Sequence, residues 1–290
     1  MQAELTYGVP LAPYTSWRVG GAARSLYRPT DPASLQAFLR DLDPAEPLLW
    51  LGLGSNLLVS DAGFPGTVIH TRGRLNELER SGRSGVRAQC GVSCAKLARF
   101  TADAGLTGLE FLAGIPGTLG GALAMNAGAH GQAIWDFVQR VQVLDRRGNL
   151  ETRAPDRFQI GYRQVEGLED AWFLGAEFRL SPGSPDQSRA RIRAYLERRR
   201  RTQPTGLPSC GSVFRNPPGD YAARLIEVAG LKGMRVGDAV VSEKHANFIL
   251  NRGQAKASDI WKLIERVRTR VAAHSGIWLP LEVKPVGWED

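Results

Sequence analysis

Apolar and polar positions change period along the chain and mark out its elements. In Leu48-Leu-Trp-Leu-Gly-Leu-Gly54 apolar residues run on almost unbroken, the pattern of a buried strand, and Leu57-Leu-Val59 continues as strand. Over residues 31–42 the apolar positions share one helical face, with Asp31 as cap and Pro32 in the first turn. A strand beginning at Leu26 and another over residues 47–53 flank that helix, which reads as a βαβ unit. Strands are expected over residues 68–70, 85–90, 138–145 and 173–180, and a helix over residues 93–104 that Gly105 ends. Residues 158–163 read as a strand running into a turn. Further helices are expected over residues 186–201, 221–229 and 258–272. Strands flank a polar loop within residues 231–250, and a last strand covers residues 276–285. In the 186–201 helix Ile192, Tyr195 and Leu196 form a short apolar stripe, and arginines fill the polar face.

One stretch breaks this periodicity. From Gly108 to Gly131 glycine and alanine displace almost every large side chain, so the backbone itself is available for contact. Gly114, Gly117, Gly120 and Gly121 offer positive-φ positions and bare N–H groups. Pro116 fixes a turn, and residues 118–125 can start a helix whose N-terminus attracts an anion such as a pyrophosphate. Upstream, Gly52-Leu-Gly54-Ser55-Asn56 supplies only the first half of G-x-G-x-x-G, with Leu57 where the third glycine belongs; a Rossmann domain is not the reading. Ser181-Pro-Gly-Ser-Pro185 reads as a linker and the main boundary. Beyond it, residues 203–217 pack two serines and a glycine between prolines, a rigid irregular segment suited to aiming a hydroxyl.

Composition narrows the class. A chain of 290 residues with 43% hydrophobic and 23% charged residues is globular and large enough for two or three subdomains. The first residues lack the basic and apolar regions of a signal peptide, and no apolar run reaches membrane-spanning length, so a cytoplasmic protein without a membrane partner is expected. Cys90, Cys94 and Cys210 are too few and odd in number for a disulfide framework. Cys90 and Cys94 could share a helix face, but no third ligand stands nearby, so buried thiols and no metal are expected. The net charge of +8 draws heavily on the arginines of residues 189–201. Apart from Tyr195, which belongs to the apolar stripe, no aromatic residue interleaves with them as a nucleic-acid surface would require, so a solvated helix face is the reading and no nucleic acid is expected.

The two glycine clusters together resemble the flavin-binding half of the vanillyl-alcohol oxidase and p-cresol methylhydroxylase superfamily. Thr15-Ser-Trp-Arg-Val-Gly-Gly21, Tyr162-Arg163, Gly211-Ser-Val-Phe-Arg-Asn-Pro217 and Glu282-Val283 are similar to motifs of the UDP-N-acetylenolpyruvoylglucosamine reductases, a resemblance covering nearly the whole chain. Cys210, Arg215 and Asp238 depart from that family's pattern. Too few residues separate Arg163 from Ser212 for the tyrosine-bearing loop of longer members, so the chain resembles the shorter, second type.

The resemblance implies an α+β protein. Residues 1–182 would form an FAD-binding domain of the p-cresol methylhydroxylase type, with subdomains at about 1–75 and 76–182. Residues 183–290 would form an α+β substrate-binding domain whose last strand, about 279–287, returns towards the flavin. FAD would be bound non-covalently through Gly52, Gly54, Ser55, Asn56, Gly114, Ile115, Pro116, Gly117, Thr118, Gly120, Gly121, Asn126, Ala127 and Gly128. Tyr162, Arg200, Gly211, Asn216 and Lys244 would bind substrate, and Arg163, Ser212 and Glu282 would be catalytic. The implied reaction uses NADPH and FAD to reduce the enolpyruvyl ether of UDP-N-acetylglucosamine to UDP-N-acetylmuramate, in peptidoglycan precursor synthesis. A hydride would reach C3, Ser212 would protonate C2, and Arg163 and Glu282 would stabilise the enolate between these events. A monomer is expected, with NADPH using the substrate's pocket and the positive balance around Arg199, Arg200, Lys232 and Lys244 holding anions. A flavin oxidase of the superfamily and a basic nucleic-acid-binding protein are the alternatives.

Overall fold

The computed structural model describes residues 3–288. The chain divides into two compact units, both discontinuous: Met1–Thr6, Ser25–Leu53 and Gly66–Arg198 form the first, and Tyr7–Arg24, Gly54–Pro65 and Arg199–Asp290 the second.

In the first unit, α1 (Pro32–Asp41) begins where the sequence reads it. The Asp31 carboxylate accepts from Ser34 N at 2.7 Å and Ser34 Oγ accepts from Asp31 N at 3.2 Å, a reciprocal cap. The strand after α1 does not pair with the strand before it. Leu48–Leu51 runs parallel to Phe64–His70, with Leu48 opposite Thr67 and Leu51 opposite His70, so β-pairing passes to a later strand. A five-stranded antiparallel sheet has the order Leu150–Arg153, Val138–Asp145, Ala171–Arg179, Gly85–Gln89, Leu78–Ser81.

On that sheet α2 (Cys94–Asp103) buries Leu97, Ala98 and Ala102, and α3 (Leu119–Ala124) buries Leu119 and Leu123 in the same core. Each large apolar side chain removed from water there stabilises the unit by roughly 1.5–3 kcal/mol. Ser93 caps α2 through its hydroxyl, which accepts from Lys96 N at 3.2 Å. Cys90 and Cys94 do not share a helix face. Cys90 precedes the helix, where its N–H donates to Leu174 O, and Cys94 is the first helical residue. Both thiols are fully buried, and desolvation pushes each up to about 12, the form of an inert thiol.

The turn-rich segment at residues 181–185 is tied down. Ser181–Pro182 pairs with Leu106–Thr107, and Gly183 N donates to Gly105 O at 2.9 Å. Then α4 (Pro185–Thr202) begins, and the division between units falls inside it after Arg198. Its polar face is exposed, as the sequence reading holds, and it also carries ion pairs. Arg191 donates to Glu110 Oε1 at 3.0 Å, and Arg189 pairs with Asp103 and Asp186. Burial disfavours the charged form of Glu110. Hydrogen bonds from the Thr107 and Ser188 hydroxyls and from Gly108 N outweigh it and hold the carboxyl below its usual range. The apolar stripe is also shorter, because Ile192 is buried and Tyr195 half-buried while Leu196 is exposed.

The second unit is built on α6 (Ala257–Ser275), whose Ile260, Leu263, Ile264, Val267 and Val271 are fully buried against α5 (Ala222–Val228) and a meander of Arg235–Val236, Ala239–Val241 and Ile249–Asn251. Trp17 is buried in that core and its indole donates to Ile249 O at 2.7 Å. The final strand is shorter than the apolar alternation predicts. Only Lys284–Val286 pairs regularly, parallel to Leu57–Val59, and Leu281 makes a single bridge to Phe214. Pro280 and Pro285 cannot donate to a ladder, and Pro280 O is used by Arg215 N instead.

Candidate active site

The glycine stretch of the first unit lies edge-on against the backbone before α2. Cys94 N donates to Gly117 O, Leu119 N to Val92 O and Gly120 N to Cys90 O, at 2.8–3.0 Å. Thr118 bridges Ser93, and a Cβ on Gly52 would lie 2.2 Å from Thr118 Oγ1, so the end of the Leu48–Leu51 strand meets α3 only because residue 52 has no side chain. Gly121 differs: it is exposed, and a Cβ there would meet nothing within 4 Å. Among the expected cofactor residues, Gly52 is thus required by packing and Gly121 faces open space. Gly114, Ile115 and Gly117 are half-buried, Pro116 is exposed and Thr118 is buried. Contrary to the sequence reading, none of Gly114, Gly117, Gly120 and Gly121 has positive φ, and Gly120 N is spent on Cys90 O, so these glycines serve by lacking side chains. A backbone edge of small residues, with Gly121 opening to solvent, fits a dinucleotide diphosphate. The residues that would hold it in this unit are Gly52 and residues 114–121.

Asn126, Ala127 and Gly128 come just after α3, and the carbonyls of Asn126 and Gly128 form the seat of Arg163. The strands Gln159–Gly161 and Gln164–Glu166 make a hairpin with Tyr162 and Arg163 at its tip. Arg163 has φ 56, left-handed backbone that glycine normally occupies at the second position of such a turn. The guanidinium donates to Gly128 O at 2.9 Å and Asn126 O at 3.4 Å, and stacks 5.3 Å from the centre of the Tyr162 ring. Asn126, itself at φ 39, donates from its side chain to Gly161 O at 3.0 Å. An arginine in strained backbone, held at the guanidinium by two carbonyls, indicates a site where charge matters more than turn preference.

The second unit carries the other candidates. Gly211 has φ 73, and the half-buried Ser212 that follows has no hydrogen-bond partner for its hydroxyl among the described residues. Val213 O accepts from Glu282 N at 2.8 Å, which sets Ser212 and Glu282 on neighbouring backbone segments. Asn56 binds on the far side of the same residue, its side chain donating to Glu282 O at 3.0 Å while its own carbonyl accepts from Lys284 N. Gly54, at φ 66, and Ser55 lead into it. Asn216 Oδ1 accepts from Ala222 N at 3.1 Å, at the start of α5. Lys244 Nζ donates to Arg200 O at 2.6 Å and so neutralises carbonyl charge in the last turn of α4. Lys232 pairs with Glu227 at 2.6 Å, and burial lowers the pKa of Arg199.

Two further residues carry the site's geometry and had no signal in the sequence. Asn247, 4% exposed, binds the backbone beside Ser212, and His70 binds the backbone of Gly52. His130, just past the glycine stretch, is stacked on Tyr195 at 3.9 Å.

The cradle lies in a flavin-binding domain: residues 23–153 match the model of the FAD binding domain family. Residues 203–286 match the model of the UDP-N-acetylenolpyruvoylglucosamine reductase C-terminal domain. The chain is 57% identical over 278 residues to the UDP-N-acetylenolpyruvoylglucosamine reductase of Methylococcus capsulatus, covering 96% of this chain and 91% of that protein. With that of Alkalilimnicola ehrlichii it shares 56% over 284 residues, 98% and 95% of the two chains. The crystal structure of UDP-N-acetylenolpyruvylglucosamine reductase from Thermus caldophilus matches with a TM-score of 0.84 at 34% identity, covering 99% of both chains. The chain belongs to the UDP-N-acetylenolpyruvoylglucosamine reductase family.

Proposed function

We propose that this protein reduces the enolpyruvyl ether of UDP-N-acetylglucosamine to UDP-N-acetylmuramate, with NADPH as reductant and FAD as non-covalent cofactor. FAD, held in the first unit by Gly52 and residues 114–121, would supply the hydride that C3 of the enolpyruvyl group receives, with NADPH as its source. Negative charge then develops at C2 and its carboxylate, where only groups that bind more strongly in the transition state help. Arg163 supplies fixed positive charge from its hairpin tip, and Glu282 a carboxyl group for the same enolate. Ser212 gives the proton to C2, completing the addition of H across the double bond, and water replenishes its hydroxyl. Tyr162, Gly211, Asn216, Arg200 and Lys244 bind the UDP-sugar. The enzyme acts as a monomer in the cytoplasm, where NADPH and nucleotide sugars are available.

The observation that carries the reading is local to the second unit. Among the described residues the Ser212 hydroxyl has no hydrogen-bond partner, and the Val213–Glu282 backbone hydrogen bond sets Ser212 and Glu282 on neighbouring segments. A serine serving only a turn would spend its hydroxyl on a nearby backbone group. The purified protein should consume one NADPH per UDP-N-acetylmuramate formed, and none with UDP-N-acetylglucosamine. NADPH oxidation that proceeds equally without the enolpyruvyl sugar would refute the assignment.

A further inference from the structure

We propose that Asn247 is a positioning residue for proton delivery, holding the Ser212 hydroxyl in register with Glu282. The inference rests on Ser212 being the proton donor. Asn247 has a buried primary amide whose two ends bind one residue of the serine segment. Its Oδ1 accepts from Phe214 N at 2.9 Å and its Nδ2 donates to Phe214 O at 2.8 Å. Its own main-chain carbonyl accepts from Val213 N at 2.9 Å. The side chain thus replaces a β-strand along one edge of Val213-Phe214. On the opposite edge Val213 O accepts from Glu282 N at 2.8 Å, and Arg215 N donates to Pro280 O at 2.9 Å.

The clamp is needed because this segment has little pairing of its own. It leaves Gly211 in left-handed backbone, makes one isolated bridge to Leu281 and enters Pro217. Asn247 also sits on a rigid support. Ser242 Oγ accepts from Lys244 N and His245 N, Ser242 N donates to Phe248 O, and Phe248 N donates to His245 O. This closes the turn between two paired strands, so an error at Asn247 passes directly to Val213 and from there to the residue before it. Asparagine suits the place for a specific reason. Aspartate keeps the acceptor for Phe214 N but sets a second oxygen against Phe214 O, leaving that carbonyl buried without a donor.

A purely structural asparagine and a positioning one differ in what they slow. Ser212 acts only when the enolpyruvyl substrate reoxidises the flavin, so displacement of its hydroxyl leaves reduction by NADPH untouched. In the FAD-loaded Asn247→Asp enzyme, reduction by NADPH should stay within about twofold of wild type, while reoxidation by substrate falls about 10- to 100-fold, the cost of ångström-scale misplacement. In a Ser212→Ala background the same substitution should add less than about twofold, because its route of action is already gone. Asn247→Ser, which removes the clash and leaves room for water, provides the same comparison should the aspartate variant lose FAD. Equal slowing of both half-reactions, full additivity with Ser212→Ala, or loss of FAD in both variants overturns the inference. If Ser212→Ala slows reoxidation and Asn247→Asp leaves it unchanged, the inference alone fails. If Ser212→Ala itself has no effect, the assignment of Ser212 fails and takes the inference with it.

Discussion

Behind the packing glycine of the cradle sits a histidine with an unusual charge environment. His70 is 6% exposed and hydrogen-bonds the backbone of Gly52. Burial pushes its pKa down to about 4, and the charges of Arg28, Arg72 and Arg74 push in the same direction. Since the folded value lies below the unfolded one of about 6.5, the neutral imidazole is favoured by folding, and the unfolded chain binds the extra proton between these values. Stability is therefore fully present above pH 6.5 and is lost as pH falls towards 4, by roughly 3 kcal/mol from this group. The urea midpoint of the wild type should drop between pH 7 and pH 5 by more than that of His70→Gln, which keeps a donor and cannot titrate. Parallel pH profiles for the two proteins would refute the account of His70. At this scale the sequence was readable only where a motif named the residue. Arg163 was singled out by its motif, but its left-handed backbone was not legible, because turn preferences at that position predict glycine. Asn247 lay in a polar loop with nothing to separate it from its neighbours, since its partners are backbone groups 33 positions away.

Helices were the most legible elements, because caps and apolar faces are local. Asp31, Ser93 and Gly105 mark helix ends in both sequence and structure. What was not legible is support arriving from distant chain. At α6 the Asp61 carboxylate accepts from Ala257 N at 2.8 Å and Ser258 N at 2.9 Å, a cap supplied from almost two hundred residues upstream. Burial raises the Asp61 pKa, but hydrogen bonds from Ser258 and Ala257 outweigh it, so the carboxylate stays charged at the positive end of the helix. Asp61→Ala should cost about 1 kcal/mol, read as a lower urea midpoint, and Asp61→Asn only a few tenths. Equal midpoints for all three proteins would show that α6 draws its N-terminal support from elsewhere. On α4 the same limitation hid one ion pair of an otherwise solvated face: Glu110, the partner of the exposed Arg191, is 81 positions away and buried.

Across the whole molecule the sequence conveyed the chemistry better than the geometry. The density of glycine and alanine from Gly108 to Gly131 pointed to a backbone cradle, because few other uses of the chain call for so many missing side chains. The interleaving of both units along the chain was hidden, since composition does not change where residues 7–24 and 54–65 leave one unit for the other. The central claim is that electrons enter from NADPH and leave only to an enolpyruvyl sugar nucleotide. One anaerobic titration tests it in a single cuvette. NADPH should bleach the yellow protein, and one equivalent of the enolpyruvyl ether of UDP-N-acetylglucosamine should restore the oxidised spectrum, while UDP-N-acetylglucosamine leaves it bleached. A protein without flavin colour, or one whose reduced spectrum is unmoved by the enolpyruvyl sugar yet returns rapidly on admitting oxygen, would contradict the account.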